Sequence, residues 1–166
     1  MTNEEIHKDL IAKFGEENIT DTVENFGLLN ITTNTAQIVE IISYLYQHPI
    51  YKFQFLTDLG GVHFPDEIGK ELSVFYHLHS LENNVRLILK VFVSIAKPNV
   101  PTLTSIYATA NWMEREAFDF YGIIFDGHPN LKRILNMDEM DYHPMRKEYP
   151  LEDATRNDKI DALFGR

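Results

Sequence analysis

Cysteine is absent from the 166 residues. No disulfide framework and no thiol nucleophile can be built without it. Fe–S clusters are normally held by Cys thiolates, so the chain is expected to carry none. Positive charge is in deficit: 15 Lys and Arg stand against 25 Asp and Glu, a formal net charge of −10. That balance argues against nonspecific nucleic-acid binding, which depends on basic patches, and against attachment to anionic lipid. No apolar run approaches the ~20 residues that span a bilayer. The opening MTNEEIHKDL is acidic and lacks the basic and apolar segments of a signal peptide, so an intracellular protein not itself inserted in a membrane is expected. Internal repeats are missing too. A chain of this length suits one domain, able to bury roughly 70% of its unfolded surface.

What is present is periodicity. Thr2 and Glu5 form a capping box before Ile6, Leu10, Ile11 and Phe14, which recur at helical spacing until Gly15. Residues 19–25 and 28–32 are short and β-branched around Gly27, the pattern of a hairpin. Asn34 and Gln37 precede a second helical stripe of Ile38, Ile41, Ile42 and Leu45, stopped by Pro49. Tyr51, Phe53 and Phe55 alternate with polar residues and predict a strand ending at Thr57. Residues 58–70, with Gly60, Gly61, Pro65 and Gly69, predict a loop. DLGGVHFPDE lacks the glycine spacing and the Lys-Ser/Thr of a P-loop. The clearest hairpin follows: Leu72, Val74, Tyr76 and Leu78 alternate, Asn83-Asn84 turn the chain, and Val85, Leu87, Leu89, Val91 and Val93 alternate back. Arg86, Ile88, Lys90 and Phe92 make its other face mixed, partly wet or covered by something outside the core. Thr104 is placed to cap a helix. After Gly122 the period is lost, so residues 1–122 are expected to form an α+β domain and 123–166 an extended arm that orders on a partner.

Residues 114–135 read EREAFDFYGIIFDGHPNLKRIL. Arg115 lies between Glu114 and Glu116, with Asp119 one turn on. Such a cluster can be a solvated ion network, a docking surface, or a pair of acid–base carboxylates aided by His128. No nucleophile or cofactor motif accompanies it, which argues against the last. His77 and His79 share a strand face, and His63 is the one candidate third ligand for a metal; ordinary surface histidines explain them as well. Asp138, Glu139, Asp141 and His143 lack EF-hand spacing. In HPMRKEYPL (residues 143–151), the prolines hold an extended backbone between Arg146, Lys147 and Tyr149, a recognition pattern.

The spacing from Asn111-Trp112 and Glu-Arg-Glu through Asp119, His128, Lys132 and Ile134-Leu135, with the 143–151 block after it, resembles the 30 kDa-type subunit, the C subunit, of respiratory complex I. Met140 stands where relatives carry tryptophan and Met145 where they carry leucine, which shifts any aromatic anchor to Tyr142. The resemblance implies an α+β, two-layer domain: helices packed on a mixed, largely antiparallel sheet of about five strands, with the arm following. It implies a non-redox structural subunit of the hydrophilic arm of a proton-translocating NADH–quinone oxidoreductase. Such a subunit docks on the quinone-site D subunit beside Fe–S subunits. It is peripheral on the cytoplasmic face of the bacterial inner membrane and touches the membrane only through the complex. FMN, Fe–S clusters and quinone would be bound by other subunits, with no catalytic, cofactor or metal residue here. The implied docking residues are Glu114, Arg115, Glu116, Asp119, His128, Pro129 and Arg133, then His143, Pro144, Arg146, Lys147, Tyr149 and Pro150. Equivalent subunits of membrane-bound hydrogenases or other donor-linked quinone reductases share the pattern. A free-standing carboxylate hydrolase is the reading from a different class.

Overall fold

In the computed structural model, residues 2–149 are described. The first helix, α1 (Asn3–Phe14), starts on the expected capping box: Thr2 Oγ1 accepts the Glu5 N–H, and the Thr2 N–H donates back to Glu5 Oε2 at 2.7 Å. A single 3-10 turn leads into β1 (Ile19–Asn25), which pairs antiparallel with β2 (Leu28–Thr33) across the Gly27 turn. The helix α2 (Ile38–Gln47) follows, its entry fixed by Asn34 Oδ1 accepting the Gln37 N–H at 2.9 Å. Strands β3 (Phe55–His63), β4 (Leu72–Ser80) and β5 (Val85–Val93) complete the sheet.

The sheet order is β1-β2-β5-β4-β3, with β2 and β5 parallel and every other pair antiparallel. This is the mixed, five-stranded α+β architecture expected. Leu72, Val74, Tyr76 and Leu78 of β4 and the alternating leucines and valines of β5 form one face. Ile6 and Leu10 of α1 and Ile38, Ile41, Ile42 and Leu45 of α2 pack into the same core. Each such buried aliphatic side chain contributes ~1.5–3 kcal/mol of transfer free energy. The third helix, α3 (Ala110–Tyr121), adds Ala110 and Ala117.

Three expectations are corrected. The stretch 58–70 is not a loop throughout: β3 runs on to His63, and only the turn after it is irregular. The two central glycines are strand residues that admit close neighbours. A Cβ on Gly61 would lie 2.5 Å from Tyr121 Cδ2, and one on Gly60 would lie 2.7 Å from Phe75 Cζ. Tyr51 and Phe53 lie in the core ahead of the strand, whereas Phe55 is exposed. Thr104 caps no helix; residues after it form a turn in which Leu103 O accepts the Ile106 and Tyr107 N–H groups, and α3 begins at Ala110.

The packed body also continues past Gly122. Ile123 and Phe125 are buried in the core, and the short strands β6 (Asn99–Pro101) and β7 (Ile124–Asp126) pair in parallel. Periodicity fails there because a three-residue strand is too short to show it.

The two glycines should respond differently to a methyl group. At Gly61 the obstacle includes Tyr121 Cγ at 2.9 Å, near the root of a ring held at the end of α3. At Gly60 it is the tip of the half-exposed Phe75 ring, which can swing outward. Gly61→Ala is therefore expected to lose about 1–3 kcal/mol in urea unfolding, and Gly60→Ala distinctly less. Equal losses would contradict this account of the helix–strand contact.

Candidate functional site

The signature residues lie on α3 and on the chain that returns to it. Ala110, Glu114 and Ala117 follow a 4, 3 spacing and face the sheet; Arg115 and Asp119, four apart, are buried toward the returning arm. Glu116 and Trp112 are exposed. Gly122 ends the helix in the left-handed region at φ 76°, its N–H donating to Phe118 O at 2.8 Å. A Cβ there would lie 2.6 Å from both the His143 ring and Arg146 Nη2. Glycine is thus required for its backbone angle and for the approach of the second block.

Asp119 is fully buried. Its Oδ2 accepts the N–H groups of Ile134, Leu135 and Asn136 at 3.1, 2.8 and 3.0 Å. Its Oδ1 accepts from Arg133 Nη1 at 2.9 Å and from Asn136 Nδ2 at 3.0 Å. Burial pushes the carboxyl up, but these hydrogen bonds prevail and hold it well below the usual carboxylate range. Arg133 then reaches past Asp119, donating from Nη2 to Met140 O and Tyr142 O at 2.8 and 3.0 Å. Arg115 donates to the carbonyls of Lys132 and Arg133 at 3.1 and 3.3 Å, and its guanidinium lies 4.6 Å from the centre of the Trp112 ring.

The second block satisfies the last carbonyls of α3, which have no partner within the helix. His143 Nδ1 meets Asp119 O at 3.0 Å, the Met145 N–H donates to Phe120 O at 3.2 Å, and Arg146 Nε donates to Tyr121 O at 2.8 Å. Burial, with Arg146 and Arg133 nearby, lowers the His143 pKa, outweighing the hydrogen bond to Asp119 O that raises it; the neutral ring donates from Nδ1. The Lys147 N–H donates to His63 Nδ1 at 2.9 Å, tying the arm to the end of β3. The nitrogen that accepts this bond is unprotonated, so the Glu148 carboxylate 3.5 Å away forms no ion pair with it.

Glu114 occupies the other side of α3, fully buried. Its Oε1 accepts the Leu103 N–H at 2.7 Å and its Oε2 bonds the Thr102 hydroxyl. The buried His128 ring approaches Oε2 at 4.0 Å. His128 Nδ1 accepts the Asn130 N–H at 3.0 Å, which leaves Nε2 to donate to Asn111 O at 3.0 Å. Burial pushes the Glu114 carboxyl up to about 7, against the pull of Leu103 and Thr102. Tyr76, whose hydroxyl is buried without a partner, feels the Glu114 charge, and burial raises its pKa well above the ordinary value.

The structure therefore brings Arg115, Asp119, Arg133, His143 and Arg146 together, and sets Glu114 with His128 apart from them. Arg115 pairs with none of the carboxylates beside it in sequence. Among the described residues these buried charges bond their own chain. The periodicity did not point to Thr102, Leu103 or Asn136, because a residue that supplies a backbone N–H or a single hydroxyl leaves no local pattern. Pro129 and the Lys147 and Tyr149 side chains are exposed, Pro144 is half-buried, and Pro150 lies outside the described residues. His63 is on the helix-covered face of the sheet and His77 on the other, so the three histidines do not converge; no group of acidic or His ligands suited to a metal occurs among the described residues.

Two stability measurements follow. Asp119→Ala leaves the Arg133 charge and three backbone donors unpaired, a loss on the order of 3–5 kcal/mol in urea unfolding of the isolated chain. A loss below ~1 kcal/mol would mean the arm is held elsewhere. For Glu114 the folded pKa lies above the unfolded one, so its contribution is complete below the unfolded value and is lost as pH rises through about 7. Glu114→Gln removes this titration, and wild type should lose stability relative to the variant between about pH 5 and about pH 8.

The family described as "Respiratory-chain NADH dehydrogenase, 30 Kd subunit" matches residues 31–155. The C subunit of NADH-quinone oxidoreductase from Mycolicibacterium gilvum (strain PYR-GCK) is 38% identical over 152 residues, 89% of this chain and 67% of that protein. The same subunit from Nocardioides sp. (strain ATCC BAA-499 / JS614) is 50% identical over 100 residues, 60% of this chain and 40% of that protein. The C/D subunit of NADH-quinone oxidoreductase from Proteus mirabilis (strain HI4320) is 38% identical over 154 residues, 89% of this chain and 26% of that longer polypeptide. Among solved structures, the trypsin-resistant fragment (1-134) of Nqo5 superposes with a TM-score of 0.66 at 28% identity, covering 79% of this chain and 100% of the fragment. A polypeptide of the membrane-bound sulfane sulfur reductase, an archaeal respiratory membrane complex, shares the fold with a TM-score of 0.71 at 22% identity, covering 89% of this chain and 85% of its own length. The chain belongs to the family of the 30 Kd subunit of respiratory-chain NADH dehydrogenase.

Proposed function

We propose that this chain is a structural subunit of an NADH–quinone oxidoreductase, bound to the quinone-site D subunit through its C-terminal arm and contributing no redox group or catalytic residue. The observation that carries this reading is the chemistry of residues 135–149. Their backbone is pinned to α3 by the buried charges, yet Leu135, Met137, Tyr142, Met145 and Tyr149 point outward as large exposed apolar side chains. The Tyr142 and Tyr149 rings sit 4.8 Å apart at the surface. Apolar and aromatic anchors on a preordered backbone are the makings of a protein interface. The relative whose name joins C to D in one polypeptide supports the D subunit as the neighbour.

The signature charges enter this reading in a changed role. They were expected to meet a partner directly; in this reading they shape the surface that does. Glu114 and Asp119 have pKa values driven apart, as acid–base pairs do, but each carboxyl is sealed within its own hydrogen bonds. On this reading FMN, Fe–S clusters and quinone belong to other subunits. On this reading the subunit is peripheral, on the cytoplasmic face; no helix among the described residues is long and apolar enough to cross a membrane.

The test separates assembly from chemistry. Leu135→Asp and Met145→Asp should leave the urea midpoint of the isolated chain unchanged, since both side chains are exposed. In cells lacking the wild-type copy, each should reduce the complex on native gels. A loss of about 2 kcal/mol at an anchor weakens association roughly 30-fold. Quinone reductase activity per assembled complex should change little. Full assembly with abolished turnover would overturn the structural reading and restore a catalytic one.

A further inference from the structure

The helices cover one face of the sheet and leave the other open. On that open face Val62, Phe64, Phe75, Ile88 and Phe92 surround a hollow of about 260 Å³. The Phe64 and Phe92 rings lie 5.8 Å apart at one end, and Gly60 admits the Phe75 ring across the edge strand. Lys90 stands in the lining, and Arg86 lies four residues before it on the same strand face. Neither forms an ion pair among the described residues, in a chain whose formal net charge is −10. Asp21 and Asp58 are the carboxylates that the register puts on this face: Asp21 lies in the row of Thr32 and Lys90 and Asp58 in the row of His77 and Ile88, each two strands from β5. Two strand spacings are about 10 Å, and neither carboxylate forms an ion pair with Lys90 among the described residues.

We infer that this open face seats an acidic polypeptide segment of a neighbouring subunit, one that lays apolar side chains on the phenylalanines and a carboxylate on Lys90. The inference rests on the reading of the chain as a subunit of the complex. Covering Phe75 and Phe92 with protein takes Lys90 out of water, and an ammonium without a counter-charge is costly to bury. An occupant that brings a carboxylate into the hollow supplies that counter-charge directly. A second copy of this chain offers the same mixed face, whose two cations and two outlying carboxylates bring no net negative charge to Lys90. The face runs from Arg86 to Phe92, about 20 Å of strand, a length that suits a peptide segment better than an enclosed small molecule.

The test uses the full chain in cells, with Phe75 replaced by photoreactive p-benzoylphenylalanine, and with the same group at the exposed Glu17 as the control. Irradiation should link position 75 to one peptide of another subunit in the co-purified complex, with an Asp or Glu in that peptide. Lys90→Glu should lower the yield at least ten-fold and Lys90→Arg should not; exchanging the partner's acidic residue for lysine should restore the Lys90→Glu variant. Because Lys90 is on the surface, both variants should melt with the wild type. A link to a second copy, a link to residues 150–166 of the same chain, or no link within an intact complex would overturn the inference and leave the subunit reading standing. A chain that does not co-purify with NADH–quinone oxidoreductase subunits would overturn both.

Discussion

A single buried carboxylate organises the part of the molecule that has no regular structure. Asp119 receives three consecutive backbone N–H groups, a guanidinium and an amide. Residues 127–149 have few ladder bonds of their own, and buried backbone groups must find partners. Asp119 supplies the acceptor for one turn of that segment, Arg115 the donors for the carbonyls just before it, and Arg133 the donors for those just after. Five bonds to a carboxylate also explain why burial does not neutralise it: each favours the charged form, and together they outweigh desolvation.

Glu114 shows the opposite outcome five residues earlier on the same helix. It has a backbone N–H and a hydroxyl as partners, no guanidinium, and a neutral imidazole at 4.0 Å. Desolvation prevails, and the group titrates near neutrality. Both carboxylates are closed off from solvent, but Glu114 lies deeper in the protein, so a larger desolvation acts together with fewer and less charged donors to set its protonation apart from that of Asp119. On the arm side of α3 the carboxylate therefore stays ionised among Arg115, Arg133 and Arg146, whereas on the sheet side Glu114 titrates near neutrality, which suits a helix whose sheet side meets leucines and the unpaired Tyr76 hydroxyl.

Legibility in the sequence followed the reach of each interaction. Periods of 3.6 and 2 were sufficient for α1, α2, the β1–β2 hairpin and the β4–β5 hairpin, because one buried face imposes the repeat. They failed at β3, where Gly60 and Gly61 read as loop residues although they are strand positions adapted to Phe75 and Tyr121. A glycine chosen for a neighbour distant in sequence is indistinguishable from one chosen for a turn. The charged signature was legible as a unit but not in its partners. Arg115 beside two glutamates suggested a local ion cluster, whereas its bonds go to carbonyls 17 and 18 residues away. Spacing along a helix reports which residues share a face and says nothing of the irregular chain that returns to it.

That return bears on how the proposed subunit would meet its neighbours. An arm that orders only on contact must give up its conformational freedom at the moment of binding, roughly 1–2 kcal/mol for each backbone residue fixed. Here the chain from Ile123 to Tyr149 is already tied to α3, β3 and β6, so Leu135, Met137 and Met145 are presented on a fixed backbone before any partner arrives. Their apolar burial then goes largely into association and not into ordering the chain. The same logic accounts for charges inside and apolar groups outside along one segment, the reverse of the usual pattern. Inside, ionic hydrogen bonds fix an irregular backbone in one conformation. Outside, apolar surface gains most when a second protein covers it. A charge moved outward would loosen the arm and wet the contact, and an apolar group moved inward would leave three backbone donors unpaired around an empty position.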